Sequence, residues 1–563
     1  MVYIQVNDHQ KYLKIAADLN SRKKPIYAKR GIICDRNGEP LAINVPIHTV
    51  TADCSHIKDA AGLAKIAAPI LKMDVADLEQ KFRTNRKYIV LKRGVSEDDA
   101  VALKKATQDN KQLRGLGFED STDRVYPNGN MLCHVLGFMD FDGKGVQGVE
   151  MSMEDYLHGE NGYRHIAQDP SGREIVVYRG QERAPRNGLT VRLTIDMGLQ
   201  AIVENELDNA YKELKPEHAV AIMVRPQTGE ILAMACRPAF DLNAVNKANP
   251  EEMKNRTIVD MVEPGSTFKI VATSGSMNEG ITSEKTQIFC ENGRFAYGGK
   301  ILRDTHGHGM LDIFNILVKS SNIGAAKLAM MMGDQKFYEY VRRFGFGEKT
   351  GIMLPGEITG LVHPPQRWDK LTITRMPMGQ AVAVTPLQIV MGMAVIANGG
   401  HLMSPQIVKE ISSNEGETLM KFDPITIREV IRPEVARYIN TGLSEVVSEH
   451  GTAPLAKVPG FTAAGKTGTA QKVNPKGGYM DGKYVVSFVG YMPAENPEFV
   501  TIVLVDNASV PSNLNYGGLV AAPIFSRIAE KSARYMDLVP SPKMLPVAHA
   551  DTAAPGNDFV KED

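Results

Sequence analysis

Long apolar runs are missing from this chain. No stretch reaches the roughly 18–20 consecutive apolar residues of a membrane-spanning helix, and no secretory signal pattern opens the sequence. As written, the 563 residues read as a soluble polypeptide, although Val2-Tyr3-Ile4-Gln5-Val6 could be the stub of a removed anchor. Net charge is missing as well. The 65 Lys and Arg balance the 65 Asp and Glu, which removes the electrostatic footprint of a nucleic-acid binder. Cysteine is scarce and odd in number: Cys34, Cys54, Cys133, Cys236 and Cys290. At least one thiol stays unpaired, and no Cys-x-x-Cys spacing points to zinc or redox work. The thiols read as small buried hydrophobes. What remains is a globular composition, 43% hydrophobic and 23% charged, in a chain long enough for two or more domains.

The first third carries no catalytic cluster. Residues 30–42 predict strand, a turn at Asn37-Gly38, then strand, with Asp35 and Arg36 free to pair with charges elsewhere. The apolar spacing of Leu63, Ile66, Ala67, Ile70 and Leu71 predicts helix across 60–110. Residues 124–165 are glycine-rich and loop-like, and 173–195 alternate as strands. A compact domain opens near residues 187–189. Its expected parts are a helix at 199–207, strands at 219–224 and 231–236, helices between 311 and 346 and over 385–397, strands at 462–472, 484–491 and 499–505, and a last helix over 523–535. That pattern is α+β, a mainly antiparallel sheet flanked by helices.

The chemistry centres on Glu263-Pro264-Gly265-Ser266-Thr267-Phe268-Lys269. Pro264 and Gly265 break the preceding element, so Ser266 stands where a helix would begin and Lys269 follows one turn later on the same face. A serine hydroxyl needs a base to become a nucleophile. A lysine beside it, desolvated and near another cation, is neutral enough to serve. Taken alone, Ser-x-x-Lys is a solvated polar pair, and it recurs at Ser21–Lys24 and Ser55–Lys58. Only the Ser266 copy has a turn before it and an apolar run after it.

Two further segments supply partners. Ser320-x-Asn322 falls between helical stretches and offers a hydroxyl that can relay a proton and an amide that can orient a lysine. Its bland reading is a helix N-cap. Lys466-Thr467-Gly468-Thr469 lies on a strand of small residues that a substrate backbone can approach, with two hydroxyls and a cation for a carboxylate. Backbone N–H groups of Ser266 and Thr469 could form an oxyanion hole. Decoys at Ser276-x-Asn278, Ser412-x-Asn414 and Lys349-Thr350-Gly351 sit in the wrong local settings. The ordered set Ser-x-x-Lys, Ser-x-Asn, Lys-Thr-Gly is the motif triplet of class A β-lactamases and penicillin-binding proteins.

With these motifs in place, the chain resembles the class B penicillin-binding proteins, monofunctional peptidoglycan D,D-transpeptidases. The resemblance spans nearly the whole length: Arg30-Gly31, Asp35-Arg36-Asn37-Gly38, Arg124-x-Tyr126-Pro127, Gly145-x-x-Gly148-x-Glu150, then Thr194-Ile195-Asp196, Gln200, Thr385-Pro386-Leu387-Gln388 and Ala397-Asn398-Gly399-Gly400. Tyr516-Gly517-Gly518 and Ala521-Ala522-Pro523-Ile524-Phe525 look most like the septal branch. The resemblance implies a strand-rich pedestal over 1–188, a penicillin-binding transpeptidase domain over 189–540 and a disordered tail over 541–563. It implies Ser266 as nucleophile, Lys269 as base, Ser320 and Asn322 as proton relay and lysine holder, and Lys466, Thr467, Gly468 and Thr469 as the carboxylate-binding strand. It also implies peptidoglycan stem peptides as substrate, β-lactams as inhibitors, division-complex membrane proteins as partners and the extracytoplasmic face of the membrane as location, with the anchor helix absent from this chain. No cofactor or metal is expected. Asp304-x-His306-x-His308 with Cys290 could be drawn as a metal set, but the spacing suits a loop equally well. Alternatives are an elongation-type transpeptidase, a D,D-carboxypeptidase, a β-lactamase, and a non-catalytic division scaffold.

Overall fold

The structure is a computed structural model and describes residues 21–541, apart from 85, 87, 109–114, 169–173, 178–181 and 475. The expected polar start lies outside the described residues, as does the tail expected over 541–563 except for Ser541, which is buried and donates its N–H to the Gly460 carbonyl.

The first part is built on strands β1 (Ile33–Cys34) and β2 (Pro40–Ala52), helices α1 (Ala60–Leu71) and α2 (Val75–Phe82), strand β3 (Ile89–Ser96), helix α3 (Glu97–Gln108) and strand β4 (Leu116–Val125). Strand β3 corrects the helix expected throughout 60–110. Its residues pair antiparallel with β2, which also pairs with β4 from Ile43 to Ala52. The helices bury Leu63, Ala67, Leu71, Leu78 and Leu103 against Val50, Ala52, Leu91 and Val95 of this sheet. The stretch read as loop, 124–165, contains three short helical turns and the start of the strand Gly162–Gln168. A buried charge cluster closes it. Arg30 and Arg124 each reach Glu150 at 2.7 Å, and Arg30 also reaches Glu154 at 2.6 Å.

The first part and the compact half share a sheet. Strand β5 (Thr190–Leu193) pairs parallel with β1 and antiparallel with the strand Val408–Ser412. Asp35 is held by backbone rather than by a cation. Its carboxylate accepts the N–H groups of Asn37, Glu39 and Met197, the last at the start of helix α4 (Met197–Leu214). Arg36 does pair, with Glu230 at 3.4 Å.

The compact half carries a five-stranded antiparallel sheet. In chain order its strands are β6 (His218–Val224), β7 (Ile231–Arg237), β8 (Ala464–Val473), β9 (Tyr479–Met492) and β10 (Phe499–Asp506), and across the sheet the order is β7-β6-β10-β9-β8. Both faces are covered, so the central strands are apolar at nearly every position rather than at alternate ones. On one face, Ala221 and Met223 pack in a core with Val203 and Leu207 of α4 and with Phe525 and Ile528 of the last helix, α5 (Gly517–Tyr535). On the other, Ile222 and Val224 join a core with Ile270, Val271, Leu387 and Val390. The last helix starts at Gly517 rather than at the expected 523, and Pro523 lies inside it. Strand β8 forms the sheet's edge, which leaves one side of its backbone without a partner strand.

Candidate active site

Ser266 lies in the 3₁₀ turn Gly265–Phe268, which runs straight into the helix Lys269–Asn278. Phe268 anchors that turn in the core, with its ring centroid 4.7 Å from that of Phe346. Gly265 has φ +58°, a left-handed conformation that glycine adopts without strain. A side chain there would also meet the backbone of Thr469, whose atoms lie 2.9–3.2 Å from the position a Cβ would take. On the other side of Ser266, Thr267 Oγ1 donates to the Pro264 carbonyl at 2.8 Å. A Cβ on Gly468 would fall 2.9 Å from that carbonyl oxygen and 3.2 Å from Thr267 Cγ2. The turn bearing Ser266 is therefore pressed against the edge strand from both flanks, and glycine at 468 is what permits the approach.

Lys269 is fully buried, and its Nζ donates to the Ser320 carbonyl at 2.5 Å, to Ser320 Oγ at 3.0 Å and to Asn322 Oδ1 at 2.8 Å. Asn322 Nδ2 in turn donates to the Arg303 carbonyl at 2.9 Å, which fixes the amide's orientation. All three acceptors of Lys269 are neutral. Burial, and then the nearby positive charge of Lys466, push the Lys269 amine well below the usual lysine range, while Asp304 pulls the other way. Lys466 is also fully buried. It donates to Thr467 Oγ1 at 3.3 Å, and desolvation pushes it down to about 7. Ser320 sits at φ +56°, a costly conformation for a residue with a Cβ, of the kind that gathers at functional sites.

Ser266, Lys269, Ser320, Asn322, Lys466, Thr467, Gly468 and Thr469 thus gather from three distant segments into one cluster. The decoys fall elsewhere. Ser276 donates within its own helix, and Thr350 is tied to Glu357 through its N–H and hydroxyl. Three neighbours were not found from sequence. Thr452 Oγ1 lies 3.4 Å from Thr467 Oγ1, adding a third hydroxyl to the strand's pair. Tyr479 donates to Glu263 at 3.1 Å, fastening the hairpin beyond the edge strand to the residue that opens the nucleophile turn. Asp304 grips the Ser-x-Asn turn: it accepts from Ser321 Oγ at 2.6 Å and from the N–H groups of Asn322 at 2.5 Å and Ile323 at 3.0 Å. Each link ends on a motif residue (Thr467, Glu263 or Asn322), whereas Thr452, Tyr479 and Asp304 lie outside the motifs that carried the resemblance. Among the described residues, no group of three or more His, Cys, Asp or Glu is placed to hold a metal ion.

A buried, hydrogen-bonded lysine one turn beyond a half-buried serine, beside an edge strand, is an arrangement suited to serine acyl transfer. Comparison with known proteins agrees. The penicillin-binding protein transpeptidase domain matches residues 219–530, and the penicillin-binding protein dimerisation domain matches residues 25–193. Stage V sporulation protein D of Bacillus subtilis is 34% identical over 96% of this chain and 83% of its own length. The peptidoglycan D,D-transpeptidase FtsI of Escherichia coli is 32% identical over 100% of this chain and 91% of its own. The crystal structure of penicillin-binding protein 3 from Mycobacterium tuberculosis, complexed with aztreonam, superposes with a TM-score of 0.71 at 27% identity, covering 93% of this chain and 99% of that one. The chain belongs to the penicillin-binding protein transpeptidase family, in the class B arrangement of a dimerisation domain followed by a transpeptidase domain. The α+β expectation holds.

Proposed function

We propose that the chain is a septal-type peptidoglycan D,D-transpeptidase, with Ser266 as its nucleophile. Lys269 takes the Ser266 proton as Oγ attacks the carbonyl of the penultimate D-Ala of a stem pentapeptide. The bond to the terminal D-Ala breaks, and Ser320 passes a proton from Lys269 to the departing amine. An amine of a neighbouring stem peptide then attacks the acyl-enzyme. Its proton returns to Lys269, the new amide forms, and Ser266 regains its hydrogen. Thr467, Thr469 and Lys466 hold the terminal carboxylate, Gly468 leaves room for the substrate backbone at the edge strand, and the Ser266 and Thr469 N–H groups receive the developing oxyanion. β-Lactams acylate the same serine.

The observation that carries this reading is the environment of Lys269: fully buried, bonded to three neutral oxygens and facing a second buried lysine. The peptidoglycan D,D-transpeptidase among the relatives named above supports the substrate class, and the family resemblance implies a place beside division proteins on the extracytoplasmic face of the cell membrane. The test is mass spectrometry after incubation with penicillin. One adduct on Ser266 is expected in the wild type and none in Ser266→Ala. An undiminished adduct in the variant would exclude Ser266 as nucleophile, and fast nitrocefin turnover would favour a β-lactamase.

A further inference from the structure

We propose that Asp304 is a positioning residue for the acylation step, a clamp that holds the Ser320–Asn322 turn in the conformation that engages Lys269. The proposal rests on the reading of Ser266 and Lys269 given above.

Asp304 follows the strand Lys300–Arg303 and comes from outside both helices that the turn joins. Its carboxylate is spent on consecutive positions of one turn. One oxygen accepts the N–H groups of Asn322 and Ile323, and the other accepts the Ser321 hydroxyl. Ser321 Oγ itself caps the helix Asn322–Met332 by accepting the Gly324 N–H at 2.9 Å. The residue just before this grip is Ser320, in its left-handed conformation, and the residue inside it is Asn322. Those two supply the three oxygens to which Lys269 Nζ donates. A left-handed serine persists only where its surroundings over-determine it. Asp304 fixes the turn from one side and Lys269 from the other. The carboxylate also stands at a helix N-terminus, where the peptide dipoles favour an anion.

A plain helix cap would do no more than hold the fold. This one also acts on the base by charge. The charged groups acting on Lys269 are Lys466 from the edge strand and Asp304 from this loop, with opposite effects. Neutralising Asp304 removes the influence that favours protonated Lys269, so Lys269 should stay neutral to lower pH.

The experiment measures acylation by penicillin under single-turnover conditions across pH, separating the binding constant from the acylation rate. In Asp304→Asn, which is isosteric and keeps an acceptor for the two amides, the acylation rate on the plateau should fall about tenfold with the binding constant nearly unchanged. The acid limb of its pH profile should move to lower pH. In Ser321→Ala, which keeps the carboxylate, the plateau should fall less and the limb should stay in place. Melting temperatures are taken alongside. An Asp304→Asn plateau within twofold of wild type overturns the clamp, and so does a loss that tracks melting temperature while the limb stays put. A limb displaced from its wild-type position in Ser321→Ala also overturns it, as does an unchanged plateau there, and this variant is the deciding one if Asp304→Asn does not fold. A wild type that forms no adduct at Ser266 refutes the acyl-enzyme reading instead.

Discussion

Buried charge is handled in opposite ways in two regions of this molecule. In the dimerisation domain, Arg30 and Arg124 close on Glu150, whose side chain is 0% exposed. Burial alone would make Arg30 less basic, yet Glu150 and Glu154 hold it more basic than usual. Each charge of that cluster has an opposite neighbour. In the active site, Lys269 and Lys466 are just as deeply buried, but the oxygens they touch are a carbonyl, hydroxyls and an amide. The same desolvation, without a carboxylate in contact, lowers both amines, and the charge of Lys466 lowers Lys269 further. Paired burial yields a rigid joint, and unpaired burial yields a base.

Four substitutions sharpen or break that contrast. The largest effect is expected for Lys269→Met, which keeps the bulk and removes the base. Acylation by penicillin should slow about 10⁴-fold, measured by stopped-flow or quenched labelling, and a loss of less than tenfold would separate the buried amine from the chemistry. Next comes Glu150→Gln, which takes the carboxylate partner from buried Arg124 and leaves Arg30 with Glu154 alone. Urea unfolding should show a loss of about 3 kcal/mol, while the folded fraction acylates at the wild-type rate. A smaller effect is expected for Gly468→Ala. Its Cβ would fall 2.3 Å from Ser487 Oγ and 2.9 Å from the Pro264 carbonyl, displacing the nucleophile turn. Acylation should slow about thirtyfold, or about 2 kcal/mol of barrier, with the melting temperature nearly kept. Smallest is Arg534→Ala, which removes an exposed ion pair with Glu530 one helical turn away. Its effect on stability should stay below about 1 kcal/mol by the same urea measurement.

The residues of the candidate site stood out in the sequence because each announces its chemistry locally. Ser266 has Pro264-Gly265 before it and an apolar run behind it, and Lys466-Thr467-Gly468 lies in a run of small residues. What stayed hidden depends on distant approach. Asp304 was visible as a carboxylate among histidines, but only the fold shows that it reaches the Ser320–Asn322 turn. Tyr516-Gly517-Gly518 entered only as a mark of the septal branch, and the last helix was expected from Pro523. In the fold those glycines open the helix because it passes close to the edge strand: a Cβ on Gly517 would come within 2.6 Å of the Gly468 carbonyl. Strand β3 was absorbed into a helical expectation because the 3.6-residue period of Leu63 to Leu71 was carried past its end. Ile89 and Leu91 in fact fall at the two-residue spacing of a strand laid against β2. Paired burial was hardest of all to see, since Arg30, Arg124 and Glu150 lie in three different segments.

The most direct test of the central claim is the pH dependence of wild-type acylation by penicillin. Burial and Lys466 together predict a rate that levels off far below the ordinary lysine value of 10.5, with its acid limb lost in Lys269→Met. A rate that kept climbing in proportion to hydroxide up to about pH 10 would mean that Lys269 is an ordinary ammonium, and it would contradict the account.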